Sequence, residues 1–142
     1  MFLLDTNVLS ELRKSGRGKA DPHVVNWTGS RETTELFVSV ITMLELEKGV
    51  LSIERRDPVQ GAIFRKWLNA SVRPSFLGRI LPIDLDVALR AAALHVPDPR
   101  PDRDALIAAT ALVHGMIVVT RNVADFAPTG VRCVDPWTAA VD

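Results

Sequence analysis

A single cysteine, Cys133, stands in the 142 residues, so the chain can build neither an intrachain disulfide nor a cysteine-based zinc site. That fits a reducing, cytoplasmic setting. Within Val131-Arg132-Cys133-Val134 the residue reads as a small buried apolar group, and no base near it suggests a thiol nucleophile. Long apolar runs are missing as well. Met1-Phe2-Leu3-Leu4 meets Asp5 at once, which argues against a signal peptide, and no stretch approaches the roughly 20 residues that span a bilayer. Net charge is also absent, at +0, which disfavours indiscriminate binding to nucleic acid driven by phosphate neutralisation. Aromatic residues make up only 6%, so Trp27, Trp67 and Trp137 are expected in the core rather than stacked on a ligand. No internal repeat or low-complexity segment interrupts the chain.

What is present describes a globule. Apolar residues at 47% and charged residues at 24% allow enough burial to offset chain entropy, and the length suits one domain over residues 1–142. Charge is unevenly placed: Arg55, Arg56, Arg65, Lys66, Arg73 and Arg79 face only Glu54 and Asp57 within residues 54–79, while the chain from residue 80 is net acidic. A basic surface beside an acidic site is one reading; a solvated helix face is the other.

Strands and helices alternate. Phe2-Leu3-Leu4 reads as a buried strand, followed by a helical run from Val8 to Lys14 and a glycine- and lysine-rich loop from Ser15 to Pro22. Leu36 to Val40 is a second strand, Thr42 to Ile53 a helix, and residues 58–72 another helix with Trp67 and Leu68 facing the core. Arg79 to Ile83 is a strand, Asp84 caps a helix over Val87 to His95, and Pro97, Pro99 and Pro101 exclude helix. Ala105 to His114, apolar on nearly every side and closed by Gly115, belongs in the middle of the molecule. Met116 to Thr120 and Val131 to Val134 complete the strands. The pattern predicts an α/β three-layer sandwich with a mostly parallel central sheet flanked by helices, whose chemistry lies beyond the carboxyl ends of the strands.

Asp5, Glu45, Asp104 and the segment Asn122 to Asp125 stand just after strands or at the start of a buried helix. Each has an ordinary explanation: Asp5 and Asp104 as helix N-caps, and Thr42-Met43-Leu44-Glu45 as a capping box. Together they suggest more. Glu45, flanked by Leu44, Leu46, Val50 and Leu51, would lose hydration if unpaired, and several carboxylates at one mouth repel each other and want a shared counter-ion. Oxygen-only ligands select hard Mg²⁺ or Mn²⁺. Replacing Asp5 or Asp104 with Asn is then expected to abolish metal-dependent activity yet leave the metal-free fold equally stable or more so.

Four segments in order carry a family resemblance: Leu3-Leu4-Asp5-Thr6-Asn7-Val8, Leu44-Glu45-Leu46-Glu47-Lys48-Gly49, Asp104-Ala105-Leu106-Ile107-Ala108-Ala109-Thr110-Ala111 and Thr120-Arg121-Asn122-Val123-Ala124-Asp125-Phe126, with a C-terminal Asp135-Pro136-Trp137. The sequence resembles PIN-domain ribonucleases, in particular the VapC-type toxins of VapBC toxin–antitoxin pairs, and with Gly78-Arg79-Ile80-Leu81-Pro82 their FitB-like branch. The resemblance implies a Mg²⁺- or Mn²⁺-dependent endoribonuclease leaving 5′-phosphate and 3′-hydroxyl ends. Asp5, Glu45 and Asp104 would be its conserved acids. The fourth position falls at Asn122, where part of the family has aspartate, and Asp125 is the nearby carboxylate that would replace it. Metal binding is assigned to Asp5, Asp104, Glu45 and Asp125, with Thr6, Asn7 and Thr120 orienting the carboxylates or phosphate oxygens.

The same resemblance implies a homodimer, an RNA substrate such as a tRNA or ribosomal loop, and a small VapB-like antitoxin. The apolar residues Val8, Leu9 and Leu12 and the run Leu44 to Ile53 are expected to provide both the dimer and the antitoxin contacts, the antitoxin being an amphipathic helix that carries an arginine onto Asp5 or Glu45. Two rivals remain: an aspartate-nucleophile phosphatase, which usually has a second aspartate where this chain has Asn7, and a catalytically silent PIN-fold module binding RNA or protein. His23, His95 and His114 are scattered and read as surface or packing residues.

Overall fold

The computed structural model describes residues 1–138. Five strands, β1 (Phe2–Leu4), β2 (Leu36–Ser39), β3 (Ile80–Leu81), β4 (Ile117–Val119) and β5 (Cys133–Val134), form one sheet in the order β3-β2-β1-β4-β5. All four pairings are parallel, so the expected mostly parallel sheet is parallel throughout. The helices are α1 (Thr6–Arg13), α2 (Pro22–Gly29), α3 (Val40–Arg56), α4 (Pro58–Trp67), α5 (Arg73–Ser75), α6 (Leu85–Leu94), α7 (Asp102–His114) and α8 (Val123–Phe126).

Side-chain alternation along the short strands makes the layers, because successive residues point to opposite faces. Leu4, Leu36, Val38 and Val119 pack with Val8 and Leu9 of α1, Trp27 of α2, Leu46 and Val50 of α3, and Leu68. Leu3 and Val118 meet Ile107, Ala108 and Ala111 of α7 and Phe126 of α8 on the opposite face. Small residues on α7 let it lie close to the sheet, as its all-round apolar sequence predicts. It closes at Gly115, whose φ of 66° is the left-handed conformation that glycine accepts without strain.

Boundaries differ where tertiary contacts override local pattern. α2 was not anticipated, although Pro22 at its first turn and Asp21 accepting from the His23 and Val24 N–H groups are strong start signals. α3 starts at Val40, capped by Ser39 through the Ile41 N–H; the capping box over Thr42 to Glu45 is therefore incorrect. Thr42 instead lies inside the helix, its buried hydroxyl without a hydrogen-bond partner among the described residues. Residues 58–72 are helical but change type, α4 giving way to a π turn over Leu68–Val72. Asp84 caps α6 as expected, through the Val87 N–H at 3.0 Å.

One residue, Asp57, joins α3 to α4 and caps α4 through the Gln60 N–H. The two helices approach so closely at Gly61 that a Cβ there would lie 2.5 Å from the Glu54 Cα. Arg65 of α4 ties the pair by donating to Glu47 and Glu54 of α3. Those hydrogen bonds hold both glutamate pKa values below the usual range and raise that of Arg65.

Candidate active site

β1 lies mid-sheet, with the chain leaving on one side through β2 to β3 and on the other through β4 to β5. Leu4 pairs with Val119, so the loops after β1 and β4 diverge side by side and leave a crevice at their carboxyl ends, where open parallel sheets bind ligands. Asp5 and Thr120 are the first residues beyond those two strands.

Asp5 is fully buried and caps α1, its Oδ1 accepting from the Thr6 N–H at 2.8 Å. Its Oδ2 accepts from the Thr120 hydroxyl at 2.8 Å and, at 3.5 Å, from the Asn7 side-chain amide. The Asn7 amide also reaches Thr120 Oγ1 at 3.3 Å, while its Oδ1 accepts from the Arg121 N–H. Thr120 Oγ1 accepts from the Asn122 N–H at 3.0 Å, which links the β4 turn to the β1 turn. The Thr6 hydroxyl donates to Glu45 Oε1 at 2.6 Å and brings α3 into the cluster. The three residues expected to orient the acids thus contact Asp5 or Glu45.

At the centre is Arg103, which no sequence motif singles out. Its Nε donates to Glu45 Oε2 at 2.6 Å, Nη1 to Asp104 Oδ1 at 2.8 Å, and Nη2 to Asp5 Oδ1. Burial by itself lowers the pKa of the guanidinium, but the hydrogen bond to Glu45 and the charges of Asp5 and Glu45 outweigh it and leave the pKa raised. Asp5, Glu45 and Asp104 are therefore brought together on one cation of the chain itself. Only the alternation Asp102-Arg103-Asp104 at a helix start hinted at this, and such a pattern ordinarily means solvated charge.

Asp104 is not a cap: α7 begins after Pro101 without a side-chain cap, and Asp104 sits in its first turn. Beside it opens a cleft of about 600 Å³ lined by Lys14, Arg103, Asp104, Arg121, Asn122 and Asp125, among others. Asn122 and Asp125 are thus placed at the cleft next to Asp104, on the turn into α8, and neither accepts a hydrogen bond from Arg103 among the described residues. Trp137 also lines the cleft, half-buried, with the Arg121 guanidinium 5.2 Å from its ring; of the three tryptophans, only Trp27 is fully in the core.

Among the described residues no group of three His, Cys, Asp or Glu side chains is spaced to hold a metal ion. The donors gathered on Arg103 are nonetheless all carboxylate oxygens, the chemistry that suits a hard divalent cation. Glu45 is less enclosed than its neighbours in sequence imply. Leu44 and Leu51 face solvent, Leu46 and Val50 are buried, and the Glu45 side chain is 28% exposed. The basic stretch also loses members: Arg65 is engaged by Glu47 and Glu54, and Arg79 donates to the carbonyls of Thr33, Leu36 and Ser75. Burial raises the pKa of the half-buried Cys133 thiol, with the Asp5 charge adding to it, which agrees with an inert residue. His95 accepts from the Arg100 N–H and pairs with Asp102 at 3.2 Å, and His23 pairs with its helix cap Asp21; neither contacts Asp5, Glu45 or Asp104 through a hydrogen bond or ion pair among the described residues.

A parallel sheet in this order, with Asp5, Glu45 and Asp104 gathered beyond the carboxyl ends of its strands, defines an α/β fold with an acidic site at its switch point. The family model described as PIN domain matches residues 2–127, and the chain belongs to that family. It is 35% identical to the VapC ribonuclease Y4jK of Sinorhizobium fredii, over 99% of this chain and 100% of that protein. Toxin FitB of Neisseria gonorrhoeae is 34% identical, over 96% of this chain and 99% of its own. The crystal structure of FitAcB from Neisseria gonorrhoeae superposes with a TM-score of 0.87 at 33% identity, covering 98% and 100% of the two chains.

Proposed function

We propose that this chain is a metal-dependent endoribonuclease toxin acting in the cytoplasm, held silent by a cognate VapB-like antitoxin and working as a homodimer. The observation that carries the reading is the convergence of Asp5, Glu45 and Asp104 at the switch point of the sheet. The names of the relatives, a VapC ribonuclease and a toxin, support it. No helix among the described residues is long and apolar enough to cross a membrane.

Asp5 and Asp104 would hold Mg²⁺ or Mn²⁺, with Asp125 or the Asn122 carbonyl completing the set from the cleft wall. The chemistry such an ion would supply is Lewis acidity toward water and phosphate oxygens. Glu45, held by the Thr6 hydroxyl, orients the attacking water. Thr120 and Asn7 fix the Asp5 carboxylate, and Lys14, half-exposed and paired with Glu11 at 3.2 Å, lines the cleft with Arg121, where both would meet phosphate oxygens of a tRNA or ribosomal loop.

The antitoxin contact needs revision, because Val8 and Leu9 are buried in the core. A groove of about 150 Å³ beside Glu45, rimmed by the partly exposed Ile53, Phe64 and Trp67, has room for one anchoring apolar side chain of an amphipathic helix. Incubating the purified protein with structured RNA should give cuts in Mg²⁺ and none in chelator. Asp104→Asn should abolish the cuts, and the product of the adjoining antitoxin gene should suppress them. Binding without cleavage would identify a silent RNA-binding module instead, and cleavage undiminished by a tightly bound antitoxin would reject inhibition at the site.

A further inference from the structure

Arg103 spends every arm of its guanidinium on the cluster. Nε, Nη1 and Nη2 donate to carboxylates from α3, from its own helix α7, and from the cap of α1, which lie 58, 1 and 98 residues away in sequence. Such charge-assisted contacts are among the stronger hydrogen bonds in proteins. The Asp5 side chain is 0% exposed, and a buried carboxylate demands a compensating charge. In the structure that charge comes from within the chain.

A divalent ion coordinated by Asp5 and Asp104 would sit against carboxylates whose Oδ1 atoms both accept from Arg103, and the two cations would repel each other at such close quarters. We propose that Arg103 is the resident cation of the metal-free cluster and that a divalent ion enters by displacing its guanidinium, so that this one side chain sets the protein's metal affinity. The inference rests on the metal-site reading above. Displacement has an open direction. The Arg103 side chain is 32% exposed and lines the cleft with Lys14 and Arg121, so a released guanidinium moves toward solvent rather than into the core. Arg103 is in this sense a positioning residue: it holds three carboxylates in place until the ion takes over.

Calorimetric titration of Mn²⁺ into the metal-free full chain, paired with thermal melts in chelator and in Mn²⁺, tests this without any activity assay. Arg103→Gln should bind Mn²⁺ roughly tenfold more tightly or better, melt lower in chelator, and gain more from Mn²⁺ than the unaltered protein does. Equal or weaker Mn²⁺ affinity in a folded Arg103→Gln protein overturns the proposal. Should that variant not fold, the unaltered protein still decides: the Nε–H resonance of Arg103, slow to exchange with solvent in chelator, should become fast as Mg²⁺ binds. A resonance indifferent to bound Mg²⁺ would also overturn it. If neither metal binds the unaltered chain or the variant, the metal-site reading itself fails and takes this inference with it.

Discussion

Asp5 combines two roles that are usually separate, helix cap and charge centre. Its two oxygens take four donors, from Thr6, Asn7, Thr120 and Arg103. An asparagine offers a single acceptor oxygen and turns its amide hydrogens toward donors on the other side. The sequence alone suggested that neutralising this acid relieves repulsion and leaves the metal-free fold as stable or more so; with Arg103 present the sign reverses. Asp5→Asn should lower stability in chelator by about 1–3 kcal/mol, the cost of leaving buried groups unpaired. Thermal melts in chelator check it, and an unchanged or higher melting temperature would mean that Arg103 does not compensate Asp5. Asp5 and Asp104 were legible because one follows a strand and the other opens a buried helix, and Glu45 because it is a carboxylate set among apolar helix residues. Arg103 was not, since its importance lies in the meeting of three distant segments, which no local spacing records.

The α3–α4 hairpin shows how an element can hide its main constraint. Helical periodicity located both helices, but nothing in Pro58-Val59-Gln60-Gly61 announces that Gly61 is where their backbones touch. Gly61→Ala sets two effects against each other. Removing a helical glycine favours folding by about 1 kcal/mol, whereas overpacking costs roughly 1–3 kcal/mol. The overlap should win because the atoms met at 2.5 and 2.9 Å are the Glu54 Cα and N, which cannot rotate away. A fall of several degrees in melting temperature is expected at this chain length, about 2–4 °C for each kcal/mol lost. A more stable variant would show that α4 can slide on α3. The π turn after Trp67 was unreadable for a similar reason, because its period differs from that of α4 only over five residues.

On the scale of the whole molecule, the alternation of strands and helices made the layered α/β architecture readable, while strand order was not, since short apolar strands carry no label for their neighbours. Only that order puts Asp5 next to Thr120 and leaves Lys14 and Arg121, rather than Arg65, as cations of the cleft. Changing Lys14 and Arg121 together to Ala should weaken RNA binding in chelator and flatten its dependence on log salt by about 1–2 units, as expected for two lost phosphate contacts. The Arg55→Ala, Arg56→Ala pair should change that slope less. The opposite ranking would run the RNA over the end of α3. The wide separation of the acids has a temporal meaning too. Asp5 and Glu45 are translated early, but Arg103 and Asp104, and the β4 strand that places Thr120, come some sixty residues or more after Glu45. A partly translated chain on the ribosome therefore holds only scattered carboxylates, and whatever this site does to RNA begins only when the last third of the chain has emerged and folded.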